Sequence, residues 1–94
     1  MEYVNTVELT GNISRVVKTD KEAIFCRINQ DVEKDGIIYK KYFKIYVSPE
    51  SNAIHNLFVD GNVLHVKGFL SVFKSQYGIK TIVQIEEATS FNNN

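Results

Sequence analysis

Cysteine appears once in the 94-residue chain, proline once, methionine once and tryptophan not at all. A single thiol, Cys26, excludes an internal disulfide, and no second cysteine offers a metal pair. Cys26 lies between Ile24 and Ile28 at strand spacing, where a free cysteine is expected in the core. The two histidines, His55 and His65, have no cysteine or carboxylate at ligand spacing, so neither a metal nor another cofactor is expected. No apolar run reaches membrane length, and the start carries no signal-peptide pattern, so a cytoplasmic protein without a membrane partner is expected. Catalytic signatures are missing as well. There is no nucleophile elbow, no phosphate loop, and no carboxylate pair except Glu86–Glu87, which reads as surface. An enzyme is not expected. Net charge is also absent: 11 basic residues balance 11 acidic ones, which excludes a uniformly basic protein.

The signs nevertheless segregate. Residues 36–49 hold Lys40, Lys41 and Lys44 and no acid, and residues 61–85 hold Lys67, Lys74 and Lys80 and no acid. With 44% hydrophobic residues the chain is too apolar for disorder and short enough for one domain. Its period is two almost throughout. Val7, Leu9 and Ile13 share a parity in a first strand, and Ile24, Cys26 and Ile28 share one in a second. "EKDG" (Glu33–Gly36) turns the chain into a third, where Phe43, Ile45 and Val47 face a core. Leu64, Val66, Leu70 and Val72 form the inner parity of a fourth. "SQYG" (Ser75–Gly78) then leads to a fifth, about Ile79 to Ala88. Gly11 and Gly68 interrupt strands and read as bends or bulges. Between the third and fourth strands, Ser48 as N-cap, Pro49 at the first helical position and Ala53, Ile54, Leu57 and Phe58 at helical spacing predict one short helix. Five strands with a helix between the third and fourth predict an all-β OB-fold barrel over residues 1–91, with a disordered polar tail at 92–94.

The outer parities carry the chemistry. The second strand presents Phe25, Arg27 and Asn29, and the third Lys40, Tyr42, Lys44 and Tyr46. The fourth presents His65, Lys67, Phe69 and Phe73, and its hairpin tip runs from Lys74 to Lys80 through Tyr77. Interleaved rings and cations suit a single nucleic-acid strand: cations follow the phosphates, and rings stack on any base. OB-folds hold ligands on their second and third strands and adjoining loops. The competing reading makes the rings β-formers that pair across strands, with Phe69 and Phe73 covered in a subunit interface.

Two stretches carry a family likeness. "NTVELTGNISR" (Asn5–Arg15) resembles the opening strand of bacterial single-stranded DNA-binding proteins: Asn, alternating apolar residues, Gly, an apolar residue and Arg. "GNVLHVKGFLSVFKSQYGIKTIVQIEEATSF" (Gly61–Phe91) resembles their fourth and fifth strands, with Gly61 and Gly68 seven residues apart. Glu50 to Phe91 is also similar to the primosomal replication protein N. The resemblance implies an OB-fold that binds single-stranded DNA in replication, recombination or plasmid and phage DNA metabolism. It adds Arg15 to the candidate contacts. It also implies a homodimer or homotetramer built partly through the first strand, with Val4 to Thr10 at or near the interface, and replication or helicase proteins as further partners. Housekeeping members usually carry tryptophan and an acidic C-terminal tip. Their absence here fits a phage, plasmid or accessory version. The alternative is an OB-fold adaptor in a primosome-like or conjugation complex, with weak or RNA binding.

Overall fold

The structure, a computed structural model, describes residues 4–91. The alternating segments form β1 (Val7–Lys18), β2 (Ile24–Lys34), β3 (Ile37–Val47), β4 (Val63–Ser75) and β5 (Gly78–Ser90), with a 3₁₀ helix at Pro49–Leu57. They close a barrel in the order β1-β2-β3-β5-β4. Neighbours are antiparallel except β3 and β5, which run parallel and meet only at Ile45–Val83 and Tyr46–Gln84. This is the OB-fold arrangement that the strand and helix order predicts.

Inner-parity side chains fill the barrel. Ile13, Ile28, Ile45, Val47, Leu64, Val66 and Ile85 are fully buried, and Cys26, Phe58 and Val83 join them. Burial pushes the Cys26 thiol up to about 12, with the negative charge of Asp60 adding to the effect. The predicted inert core cysteine is therefore in place.

Glycine is required where strands crowd. A Cβ on Gly68 would fall on the carbonyl oxygen of Gln84, and one on Gly11 on that of Asn29. Neither residue is the extra one of a bulge. Next to Gly68 the unpaired residue belongs to β5: Lys67 faces Glu87 and Gly68 faces Ile85, which leaves Glu86 over. In β1 the register slips between Ser14 and Val17, and Arg15 takes φ 54°.

The Lys34–Ile37 hairpin turns through Asp35 and Gly36, both at positive φ (54° and 78°), as a two-residue turn between twisted strands demands. The Ser75–Gly78 pair closes the β4–β5 hairpin around Gln76 and Tyr77. Beyond the start of β1, the Asn5 side chain continues the pairing with β4. Its Nδ2 donates to Leu70 O at 2.9 Å, and its Oδ1 accepts from Leu70 N at 3.0 Å.

Two expectations change. The helix has 3₁₀ character with a non-helical Ser51, and the Ser48 side chain caps no backbone N–H. Instead, His55 Nε2 lies 2.9 Å from Ser48 O and draws the helix end back to its start. Leu70 and Val72 keep the inner parity but are 48% and 65% exposed, because the β4–β5 hairpin runs on past the barrel. Pairing continues to the end of the described residues: Ser90 pairs with Leu64, and Phe91 N donates to Val63 O. Residues 92–94 lie outside the described residues. In the first half of β1, Val7–Asn12 pairs with β4, and Gln30 Nε2 donates across the other edge to Thr10 O. No helix among the described residues is long and apolar enough to cross a membrane.

Candidate nucleic-acid interface

Outer-parity residues of β2 and β3 face each other pair by pair: Phe25 with Tyr46, Arg27 with Lys44, Asn29 with Tyr42, Asp31 with Lys40. Register extends the first pair across the sheet, because Tyr46 also faces Gln84, and Gln84 faces Phe69. Rings and cations thus alternate along β3, and the ring pair Phe25–Tyr46 stands next to the cation pair Arg27–Lys44. The Phe25 and Tyr46 rings are tilted by 53° with centroids 5.1 Å apart. The Arg27 guanidinium lies 4.1 Å from the Tyr42 ring centroid. Such stacking holds the long arginine side chain along the surface and leaves its N–H groups free to donate.

The β1 bulge completes this face. Simple alternation from Ile13 would turn Arg15 inward. The residue at positive φ breaks that alternation, and Arg15 lines a surface cavity of about 440 Å³ together with Phe25, Arg27, Lys44 and Phe73. Phe73 comes from the far end of β4, so the projecting hairpin coils back over the β2–β3 face. Beneath it lies Ile82, which has outer parity yet is buried. A second cavity of about 230 Å³ is lined by Phe25, Tyr46, Ser71, Phe73, Ile82 and Gln84. Among the described residues no ring or cation on this groove is locked in an ion pair, and no group of His, Cys, Asp and Glu could hold a metal.

Most of the sequence-derived candidates fall on this groove or its rim. Arg15, Phe25, Arg27, Lys44, Tyr46 and Phe73 surround the two cavities. Tyr42 stands beside Lys44 in a neighbouring depression. Lys40 extends the β3 column toward the hairpin tip, opposite Asp31. Lys80 pairs with Phe73 and shares its face, and Tyr77 projects from the turn at 80% exposure.

Two candidates do not join them. Lys74 pairs with Ile79 and so has the parity of Leu70 and Val72, on the other face of the hairpin. Lys67 lies between Glu8 of β1 and Glu87 of β5 on a separate part of the barrel. His65 is its neighbour there, with ring nitrogens 2.7 Å from Thr10 Oγ1 and 2.6 Å from Glu8 Oε1. Val17, Ser71, Ile82 and Gln84 are groove residues that sequence reasoning missed. Extending the parity of Val83 and Ile85 along the fifth strand would have assigned Ile82 and Gln84 to the outer face.

The chain shares its fold with single-stranded DNA-binding proteins. A small single-stranded DNA-binding protein from Mycoplasma pneumoniae superposes with a TM-score of 0.72 at 20% identity, over 97% of this chain and 95% of that one. The Plasmodium falciparum single-stranded DNA-binding protein, solved in complex with single-stranded DNA, gives 0.72 at 12% identity over 98% of both chains. A mitochondrial single-stranded DNA-binding protein from S. cerevisiae gives 0.68 at 15% identity, over 96% of this chain and 97% of that one. Neither a protein-family model nor a curated protein sequence matches the chain. The resemblance read from Asn5–Arg15 and Gly61–Phe91 therefore holds at the level of the whole barrel.

Proposed function

We propose that the chain binds single-stranded DNA, with little dependence on sequence, along the groove between the β2–β3 face and the coiled β4–β5 hairpin. The observation that carries this reading is the groove itself. Arg15, Arg27 and Lys44 share one cavity with Phe25 and Phe73, while net charge over the chain is zero. Cations gathered beside open rings match the two needs of single-strand binding, phosphate neutralisation and base stacking. The three structural neighbours, each named for the same activity, support it. The reading needs no catalytic group, and the protein acts as a binding module rather than an enzyme.

The test is fluorescence anisotropy with labelled dT oligomers against duplex DNA and RNA of equal length. Binding to dT well above duplex is the expected result. Equal affinity for blunt duplex would refute the proposal, and tighter binding to RNA would replace DNA as the ligand.

Assembly is part of the same reading. Two protomers joined about a two-fold axis through Val4–Thr10 would cover that strand's remaining edge on both copies at once. Thr6→Lys should then weaken the dimer and reduce affinity for long oligonucleotides more than for short ones. Light scattering that returned a monomer mass at micromolar concentration would refute the dimer.

A further inference from the structure

The smaller cavity of the groove differs in kind from the larger one. The larger cavity is rimmed by cations, whereas the smaller contains none. Phe25, Tyr46 and Phe73 supply rings, Ile82 supplies an apolar wall, and the polar side-chain groups are those of Ser71 and Gln84 and the Tyr46 hydroxyl. At about 230 Å³ it is too small for most drug-sized ligands, which need roughly 300 Å³ or more, and it suits a single flat ring system. Gln84 is half-buried and held between Tyr46 and Phe69 by the register of three strands. No side-chain hydrogen bond among the described residues occupies its carboxamide or the Ser71 hydroxyl.

We infer that this cavity is a base-reading pocket, which takes one nucleobase of the bound strand and selects adenine through Gln84. The inference rests on the single-strand reading above and adds a selective position to an otherwise tolerant groove. Two arguments choose the base. The three rings favour the larger stacking face of a purine. Of the two purines, adenine offers a donor beside an acceptor on both of its edges, N6 with N7 and N6 with N1. Both match a carboxamide's side-by-side acceptor and donor, and glutamine pairs with adenine in this way in duplex grooves. On the corresponding outer edge guanine presents two acceptors, O6 and N7, and thymine one acceptor, O4, beside a methyl, so neither can form the donor-and-acceptor pair that adenine N6 and N7 offer there. The Ser71 hydroxyl, which both donates and accepts, is available to whichever adenine nitrogen remains.

The test compares dT12 with the same oligomer carrying one central dA, and with one carrying a purine that lacks the 6-amino group. Wild-type protein should bind the dA oligomer about tenfold more tightly than dT12, as one bidentate pair implies. Removing only the 6-amino group should lose most of that gain and leave only the stacking advantage of a purine over thymine. Gln84→Leu, similar in size, should make the dA oligomer bind no better than the oligomer whose purine lacks the 6-amino group, and Gln84→Glu, which accepts but does not donate when ionised, should narrow the difference between those two. The oligomer comparison alone needs no variant and decides the matter even if Gln84→Leu folds poorly. Equal binding of dT12 and the dA oligomer by wild type would overturn the pocket while leaving single-strand binding intact. Failure to bind either oligomer would overturn both.

Discussion

Salt dependence separates the lysines that meet phosphate from those that only decorate the barrel. Five cations lie on or beside the groove face: Arg15, Arg27 and Lys44 around the larger cavity, Lys40 next along the β3 column, and Lys80 paired with Phe73. Each phosphate neutralised on a single strand contributes about −0.7 to the log–log salt slope, so five contacts give a slope of about −3.5 per protomer. Affinity should then fall about 130-fold between 50 and 200 mM salt. Lys44→Gln removes one contact and should flatten the slope to about −2.8, an affinity loss of about 50-fold over the same range. Lys67→Gln is the contrasting substitution. Lys67 faces Glu8 and Glu87 across its two neighbouring strands, away from Phe25 and Tyr46, so the slope should stay at its wild-type value. The assay is anisotropy of a labelled dT oligomer at four salt concentrations. The slope is a safer readout than affinity at one concentration, since partial unfolding lowers apparent affinity without changing the number of ions released. A wild-type slope near zero, or equal flattening by Lys67→Gln and Lys44→Gln, would refute the assignment of the groove.

Other substitutions probe the two faces of the same strands. Tyr42→Ala and Tyr46→Ala should each weaken DNA binding by roughly 1–3 kcal/mol in calorimetric titration while the circular dichroism spectrum is retained. Phe43→Ala, on the opposite parity and half-buried against the core, should instead cost about 3 kcal/mol of stability in urea. Unchanged stability for Phe43→Ala with unfolding of Tyr42→Ala would invert the faces. Gly68→Ala drives a methyl into the Gln84 carbonyl and should cost about 3 kcal/mol or more, read as a lowered thermal midpoint. Cys26 sets a limit at high pH. Its folded pKa of about 12 lies above the ordinary 9.0, so above pH 9 the unfolded chain releases the proton while the barrel keeps it. The folded state then holds more protons, and stability falls by about 1.4 kcal/mol per pH unit between 9 and 12. Urea midpoints at pH 7 and pH 10.5 should converge more for Cys26→Val than for wild type. An identical loss in both would show that the thiol is not responsible.

Local patterns were legible where local physics decides. Asp35–Gly36 needs only its own backbone to specify a two-residue turn, and the apolar parities of Ile24–Ile28 and Phe43–Val47 already name the inner wall. The groove could be read to the same extent, as one parity of β2 and one of β3. What remained hidden depends on distant partners. Arg15 reaches the groove through a slip against β2 that its neighbours in sequence do not announce. Leu70 and Val72 continue a core parity, but the barrel ends before they do. Lys67 looks like Lys44 in sequence and differs from it through Glu8 and Glu87, which are brought beside it by two separate strand pairings. Ile82 is buried on an outer face because Phe73 and the rest of its own hairpin coil over it.

The parallel joint between β3 and β5 sets the dynamics of the barrel. Elsewhere the strands are zipped along long antiparallel ladders, but this joint is held only at Ile45–Val83 and Tyr46–Gln84. With so little ladder it is the place where the cylinder parts most readily, and local opening is governed by the least-paired segments. Whichever of the Val83 and Gln84 amides points toward β3 rather than β4 should therefore exchange with deuterium sooner than those in the middle of β2. Tyr46 and Gln84, one half of the joint, also line the smaller cavity. A base seated there rests on both banks of the opening and acts as a clasp. Occupancy of the groove then becomes visible as slowed exchange deep in the wall of the barrel, at residues no phosphate touches.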